Sequence, residues 1–151
     1  MFSCWKGIGV QVAIASDHAG YELKQILISK LTDIQWKDLG PHSDENVDYP
    51  DYAKSLVAEM KASNISLGIL VCGTGIGMSI AANRSPDVRA SAVCCEEAAR
   101  LTREHNDSNI LCLGSRLLKE KEAITIAKIW LNTPFSGEER HKRRIQKLGE
   151  L

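Results

Sequence analysis

Residues 70–84 read LVCGTGIGMSIAANR and place a thiol directly before a glycine-rich loop. Cys72 ends an apolar run, and Gly73, Gly75 and Gly77 follow it. Glycines at this spacing let the backbone approach a ligand closely, and the loop amides together with the N-terminus of the following helix form a site for negative charge. A cysteine in such a position favours the thiolate, so it can act as a base. The pattern indicates proton transfer next to a carbonyl, with amides stabilising the oxyanion that develops.

Other interpretations of this loop stay open from the residues alone. A nucleotide P-loop ends in Gly-Lys-Ser/Thr, and the segment GIGMS has no lysine. A dinucleotide fingerprint is closer, because Gly73 and Gly75 follow a predicted strand and Glu96 comes about twenty residues later. Its third glycine, however, stands one position too early. Unpaired cysteine is also among the most buried residue types, so Cys72 can equally serve packing alone.

Two histidines stand where a helix meets a strand. Asp17 follows the first predicted strand and is a candidate N-cap for a helix that begins near Ala19. His18 would then lie at the helix N-terminus, where an imidazole can donate to a phosphate or sugar oxygen. His105 closes a predicted helix just before the fifth strand. A histidine there interacts with the helix dipole as readily as it serves catalysis.

Arg140 and Arg144 are four residues apart in the run RHKRR. In a helical tail both guanidinium groups would share one face, which is the spacing that grips a phosphate from two sides. A solvated basic run and a nucleic-acid patch are the alternatives. The run is short, contains no aromatic residue and belongs to a neutral chain, all of which argue against nucleic acid. A small phosphorylated ligand fits better.

The composition predicts one cytoplasmic domain. The chain has 151 residues, 44% of them hydrophobic, and its 19 basic and 19 acidic side chains cancel. It is long enough to bury a core and has no global field that would attract nucleic acid or a membrane surface. Neither a signal peptide nor an apolar stretch of about eighteen residues is visible. The cysteines contain no CxxC pair, which suits neither a disulfide framework nor a zinc site and predicts a reducing compartment; they are Cys4, Cys72, Cys94, Cys95 and Cys112.

Strand and helix patterns alternate along the chain. Continuous apolar strands are expected at 8–16, 34–40, 67–72, 88–94 and 109–115, with helices near 19–31, 52–61, 76–83, 96–104 and 118–131. Pro134 separates the last helix from a charged tail. This pattern predicts a parallel sheet covered on both faces. Ligands bind beyond the carboxyl ends of such strands, which selects the following residues as candidates: Asp17, His18, Cys72 to Gly77, Glu96, and Gly114 to Arg116.

Together these segments resemble the B-type ribose-5-phosphate isomerases. The order and spacing match across nearly the whole chain, with about residues 1–8 left as an N-terminal extension to a single domain of 1–151. The matching segments are ASDHAG at 15–20, VDYP at 47–50, CGTGIGMSIAAN at 72–83, REHNDSN at 103–109, LGSR at 113–116 and RHKRR at 140–144.

The resemblance implies a fold and a reaction. It implies a three-layer α/β/α Rossmann-like fold with a five-stranded parallel sheet and a C-terminal helical tail. The implied reaction interconverts ribose 5-phosphate and ribulose 5-phosphate through an enediolate in the pentose phosphate pathway, without metal or organic cofactor. The implied assembly is a homodimer, or a dimer of dimers, with each site at the subunit interface.

The resemblance also implies residue roles. Cys72 is the base, His105 helps to open the sugar ring, and Thr74 holds the enediolate oxygens with the amides of the loop glycines. The remaining roles in substrate binding are as follows: Asp17 and Asn106 bind sugar hydroxyls, His18, Arg140 and Arg144 bind the phosphate, and Arg116 and Tyr49 line the pocket. One branch of the family uses a glutamate directly after the third loop glycine instead of the cysteine. Met78 occupies that place here, which assigns the chain to the cysteine branch.

Alternative functions remain. Relatives in the same superfamily isomerise allose or galactose 6-phosphate, whose pockets hold one more hydroxymethylene. A nucleotide-binding module without catalysis would use the glycine loop and Glu96. A catalytically idle interaction subunit is disfavoured, since no proposed catalytic position is missing.

Overall fold

The computed structural model describes residues 10–151, which form one five-stranded parallel sheet with helices on both faces. The strands are Gln11–Ser16 (β1), Gln35–Asp38 (β2), Leu67–Cys72 (β3), Ala90–Ala92 (β4) and Ile110–Gly114 (β5). The helices are Tyr21–Lys30 (α1), Tyr49–Ala62 (α2), Ile76–Ala82 (α3), Glu96–Asn106 (α4), Glu120–Asn132 (α5) and Glu139–Leu148 (α6). The predicted α/β/α fold with its helical tail is confirmed. The expectation for residues 1–8 lies outside the described residues.

The strand order is β2-β1-β3-β5-β4, and each neighbouring pair is parallel. β3 is buried along its whole length, so its two faces both meet apolar layers. On one face the core joins the sheet to α1, α4 and α5, and it contains the predicted inward residues Ile126, Ala127 and Trp130. On the other face α2 and α3 cover Leu70 and Cys72. α6 lies outside these layers, against α4.

Element boundaries differ from prediction at two places near the ligand edge. The polar loop expected over 41–50 is shorter, because α2 begins at Tyr49 with Pro50 in its first turn, where a missing backbone donor costs nothing. Asp17 does not cap a helix at Ala19. α1 begins at Tyr21 after an N-cap at Gly20, and the Asp17 Oδ1 atom accepts the Gly20 amide at 2.9 Å in the turn before it. This turn is tight because Gly20 lies against the carbonyl of Val71.

Among residues 10–151, no helix is both long enough and apolar enough to cross a bilayer.

The strand β4 is shorter than the predicted strand over 88–94. It has three residues and lies at the edge of the sheet.

Candidate active site

The candidate site lies at the topological switch point of the sheet, where the strand order reverses between β1 and β3. β1 is followed by β2 on one side and has β3 on the other, so the loops after β1 and β3 diverge and leave a crevice between their carboxyl ends. Asp17 follows β1 at this point, and its amide donates to the Val71 carbonyl at 3.1 Å. The Asp17 side chain is largely buried. A carboxylate is therefore held beside the end of β3.

Cys72 is the last residue of β3, and its sulfur accepts a hydrogen bond from the loop. The Gly75 amide donates to Cys72 Sγ at 3.1 Å. Gly75 adopts φ +78°, a left-handed conformation that favours glycine and turns its amide back toward the sulfur. Of the predicted amide donors, that of Gly75 thus serves the cysteine itself.

A second thiol lies near Cys72 on the same face of the sheet. Cys112 belongs to β5, and both cysteines belong to the core beneath α2 and α3. Burial raises the pKa of Cys112 far above its ordinary value, and the neighbouring Cys72 raises it further. Cys112 therefore remains a neutral thiol, which distinguishes it from a candidate base.

The loop after Cys72 is closed in by two side chains predicted to line the pocket. A Cβ atom on Gly73 would lie 3.1 Å from Arg116 Nη1, and one on Gly77 would lie 2.9 Å from Tyr49 Cζ. The guanidinium thus lies against the start of the loop and the phenol against its end. Thr74 is exposed, and its Oγ1 accepts the Ile76 amide at 3.3 Å. The hydroxyl hydrogen of Thr74 stays available for a ligand oxygen.

His18 is positioned by the loop that precedes α2. Its Nδ1 atom lies 3.2 Å from the Val47 carbonyl oxygen and 3.3 Å from the Val47 amide nitrogen. Val47 begins the segment VDYP, so this contact joins the loops after β1 and before α2. The ring is partly exposed on the same side of the sheet as Asp17. The structure therefore brings one group of predicted residues together at the carboxyl edge: Asp17, His18, Tyr49, Cys72, Gly73, Thr74, Gly75, Gly77 and Arg116.

The second group of predicted residues lies at the amino ends of the strands, opposite the carboxyl ends that hold the first group. His105 and Asn106 end α4, and the chain then enters β5 at Ile110. Ile110 pairs with Gly68, whereas Cys72 pairs with Gly114 four residues further along. Four residues of strand span about 13 Å. The histidine expected to open the sugar ring and the expected base therefore lie at opposite ends of the same strands.

α6 extends this second group. The Ser136 amide donates to the Glu104 carbonyl at 3.1 Å, which holds the start of the tail against the end of α4. Arg140 and Arg144 are both exposed on α6, one turn apart as predicted. Arg140 pairs with Glu138 at 2.7 Å. Two guanidinium groups on a helix that packs against α4 form a basic surface suited to an anion.

Comparison with known proteins identifies the family. The sequence profile of the ribose/galactose isomerase family matches residues 12–148. The chain belongs to this family. A probable ribose-5-phosphate isomerase B of Mycoplasma pneumoniae is 44% identical over 140 residues, which is 91% of either chain.

Solved structures of isomerases of this family share the fold. The crystal structure of a ribose 5-phosphate isomerase from Thermotoga maritima has a TM-score of 0.90 and 48% identity, and the match covers 94% of this chain and 99% of that one. A Mycoplasma genitalium ribose-5-phosphate isomerase B, solved with bound ribulose-5-phosphate, has a TM-score of 0.86 and 42% identity, and the match covers 93% of this chain and 94% of that one.

Sequence reasoning missed two residues of this isomerase fold that contact the predicted set. Ser115 Oγ donates to the Ala19 carbonyl at 2.7 Å and ties the loop after β5 to the loop after β1. His141 stacks on His105. A signal for His141 exists in the sequence, because His141 and Ile145 are four apart within a basic run and so mark an inward face of α6.

Proposed function

We propose that this chain interconverts ribose 5-phosphate and ribulose 5-phosphate, with Cys72 as the base. The observation that carries the proposal is the Gly75 amide that donates to Cys72 Sγ at the carboxyl end of β3, beside the buried carboxylate of Asp17. Membership of a family of ribose and galactose isomerases supports this chemistry. So does the relative that binds ribulose-5-phosphate.

The reaction begins on the cyclic sugar. His105 removes the proton from the anomeric hydroxyl and returns a proton to the ring oxygen, which breaks the bond between that oxygen and C1 and leaves the open-chain aldehyde. Cys72 thiolate then takes the proton from C2, and the electron pair moves through the C1–C2 bond onto the aldehyde oxygen. The same sulfur returns the proton to C1. The proton of the C2 hydroxyl passes to the oxygen on C1, so that C2 becomes the ketone and C1 the hydroxymethyl group. Asp17 and Asn106 bind hydroxyl groups of the sugar during these steps.

The enediolate carries negative charge on oxygen, which the loop after β3 can stabilise. The free hydroxyl hydrogen of Thr74 and the amides of Gly73 and Gly77 are the donors for this charge. Arg116 and Tyr49 flank the loop and restrict where the sugar can lie. The phosphate binds His18 at one end of this arrangement, together with Arg140 and Arg144.

These roles require a second copy of the chain. His105 and Cys72 belong to opposite edges of one sheet, separated by about 13 Å of strand, whereas a pentose phosphate needs both within contact. A second copy related by a two-fold axis can place its His105 beside Cys72 of the first copy. The same contact then occurs in the other site, because an isologous interface repeats every contact. We therefore propose a homodimer, or a dimer of dimers, with composite sites.

The surface beside the loop suits such an interface. Ile76 and Ile80 are adjacent on α3 and are 53% and 62% exposed, next to the partly exposed Tyr49. A cleft of about 480 Å³ continues from Tyr49 and Gly77 between α2 and α3. Exposed branched apolar side chains that border the reacting loop indicate a surface that a second subunit covers.

We place the reaction in the cytoplasm, within the pentose phosphate pathway. Among the described residues, Cys94 and Cys95 are exposed and unpaired, which suits a reducing compartment.

A comparison of three sugar phosphates tests the proposed substrate. We expect kcat/KM for ribose 5-phosphate to exceed that for allose 6-phosphate or galactose 6-phosphate by about ten- to two-hundredfold, which is the range that one extra carbon unit in a pocket produces. The family includes galactose isomerases, so the hexose phosphates are the second candidate. Faster conversion of either hexose phosphate overturns the assignment, and tight NAD binding without isomerisation would favour a nucleotide-binding module.

A further inference from the structure

His141 is the buried residue of a helix that is otherwise mostly exposed. It is 4% exposed, whereas Arg140 and Lys142 on either side of it face solvent. Its Nε2 atom is buried and meets no hydrogen-bond partner within residues 10–151. A buried polar atom without a partner destabilises the fold, so an apolar residue would stabilise it better. Packing alone does not account for a histidine at this position.

The ring of His141 lies flat on the ring of His105. The two centroids are 4.4 Å apart and the planes differ by 14°. Burial lowers the pKa of His141, and the charges of His105, Arg140 and Arg144 lower it further, against the opposing effect of Glu138. His141 thus presents a neutral face to its neighbour. A neutral face can cover the second ring in either protonation state without repelling it.

Within the described residues, the stack with His141 is the contact that restrains the orientation of the His105 ring. His105 occupies the last turn of α4, and no hydrogen bond to its ring is present within the described part of the chain. Its orientation therefore depends on the stack with His141. The same helix that provides this stack carries Arg140 and Arg144.

We propose that His141 is a positioning residue that holds the His105 imidazole in the orientation for proton exchange with the cyclic sugar. This inference rests on the proposed function. Because His141 stands between the two arginines on α6, the stack also links the groups that bind phosphate to the group that opens the ring. His141 itself transfers no proton.

The two sugar phosphates separate this role from that of Cys72. Ribose 5-phosphate is a ring that must open before its C2 proton can leave. Ribulose 5-phosphate has no free hydroxyl at C5, so it cannot close a five-membered ring. Exchange of its C1 proton with solvent deuterium thus needs the base and the loop but no ring opening.

The experiment compares His141→Leu, His141→Phe and the matched control Lys142→Leu in the full-length protein. We expect His141→Leu to lower kcat for ribose 5-phosphate at least about tenfold, since small misplacements of a catalytic group have effects of this size. Deuterium exchange into C1 of ribulose 5-phosphate, measured by NMR under the same conditions, should stay close to that of the wild type. His141→Phe retains a flat ring and should keep most of the activity, and Lys142→Leu should match the wild type.

Each other outcome overturns the inference. Equal activity of His141→Leu and the wild type on ribose 5-phosphate excludes positioning, and an equal loss in both assays indicates a structural role. Loss in the phenylalanine variant as large as in the leucine variant shows that the nitrogen, not the stack, is required. If the leucine variant does not fold, His141→Asn replaces it, because the amide is too small to cover the His105 ring. A wild-type protein that neither isomerises nor exchanges refutes the proposed function, which distinguishes that failure from failure of the positioning role.

Discussion

At the scale of single residues, Cys72 differs from the other cysteines of residues 10–151 in having a backbone donor on its sulfur at a ligand-facing strand end. Replacing it by serine keeps the size of the side chain but substitutes a far weaker base. We expect Cys72→Ser to lower kcat by at least about a thousandfold, while ribose 5-phosphate binding by calorimetry changes little, since the lost interaction belongs to the transition state. Cys94→Ser, at an exposed position, is the control and should keep full activity. A serine variant that isomerises at the wild-type rate removes Cys72 from the mechanism.

At the scale of elements, α6 should act through phosphate binding. Arg140 is exposed and, within residues 10–151, its ion pair is with Glu138 just before α6, so its guanidinium can exchange that carboxylate for a phosphate. Arg140→Ala should raise KM for ribose 5-phosphate about tenfold or more with a smaller change in kcat, because a phosphate contact is made equally in the ground state and the transition state. Lys142→Ala removes a positive charge from the opposite side of α6 and controls for net charge. Equal effects of the two alanine variants on KM would contradict a specific clamp.

The elements themselves were largely predictable from sequence, because their patterns are local. β3 was predicted with its observed ends, since an apolar run bounded by polar residues and glycine determines both. The start of α2 was not, because Pro50 signals a turn and the first turn of a helix equally well. The site residues were predicted as one group, yet the structure divides them between the carboxyl ends and the amino ends of the strands. The order of elements already implies this division, because a loop that follows a helix in a parallel sheet lies at the amino ends of the strands. The stack of His141 on His105 depends instead on how α6 returns to α4, which no local pattern encodes.

At the scale of the whole molecule, the division of the site predicts complementation between two inactive variants. Cys72→Ser damages the carboxyl-edge group and His105→Ala damages the opposite group. In a mixed dimer with composite sites, one site receives both substitutions and the other receives intact Cys72 from one chain and intact His105 from its partner. After full exchange of subunits from an equal mixture, half of the dimers are mixed and half of their sites are intact, which predicts about one quarter of the wild-type activity.

The measurement is the isomerase rate of the mixture after the subunits have been dissociated with mild denaturant and reassembled, compared with each variant treated alone. Activity well above the sum of the two variants requires that a site draws Cys72 and His105 from different chains, because no chain in the mixture carries both. If each chain held a complete site, mixing would restore nothing. An inactive mixture in which mass spectrometry detects mixed dimers would therefore reject the composite site, and the 13 Å of strand between the two groups would have to be closed by rearrangement within one chain.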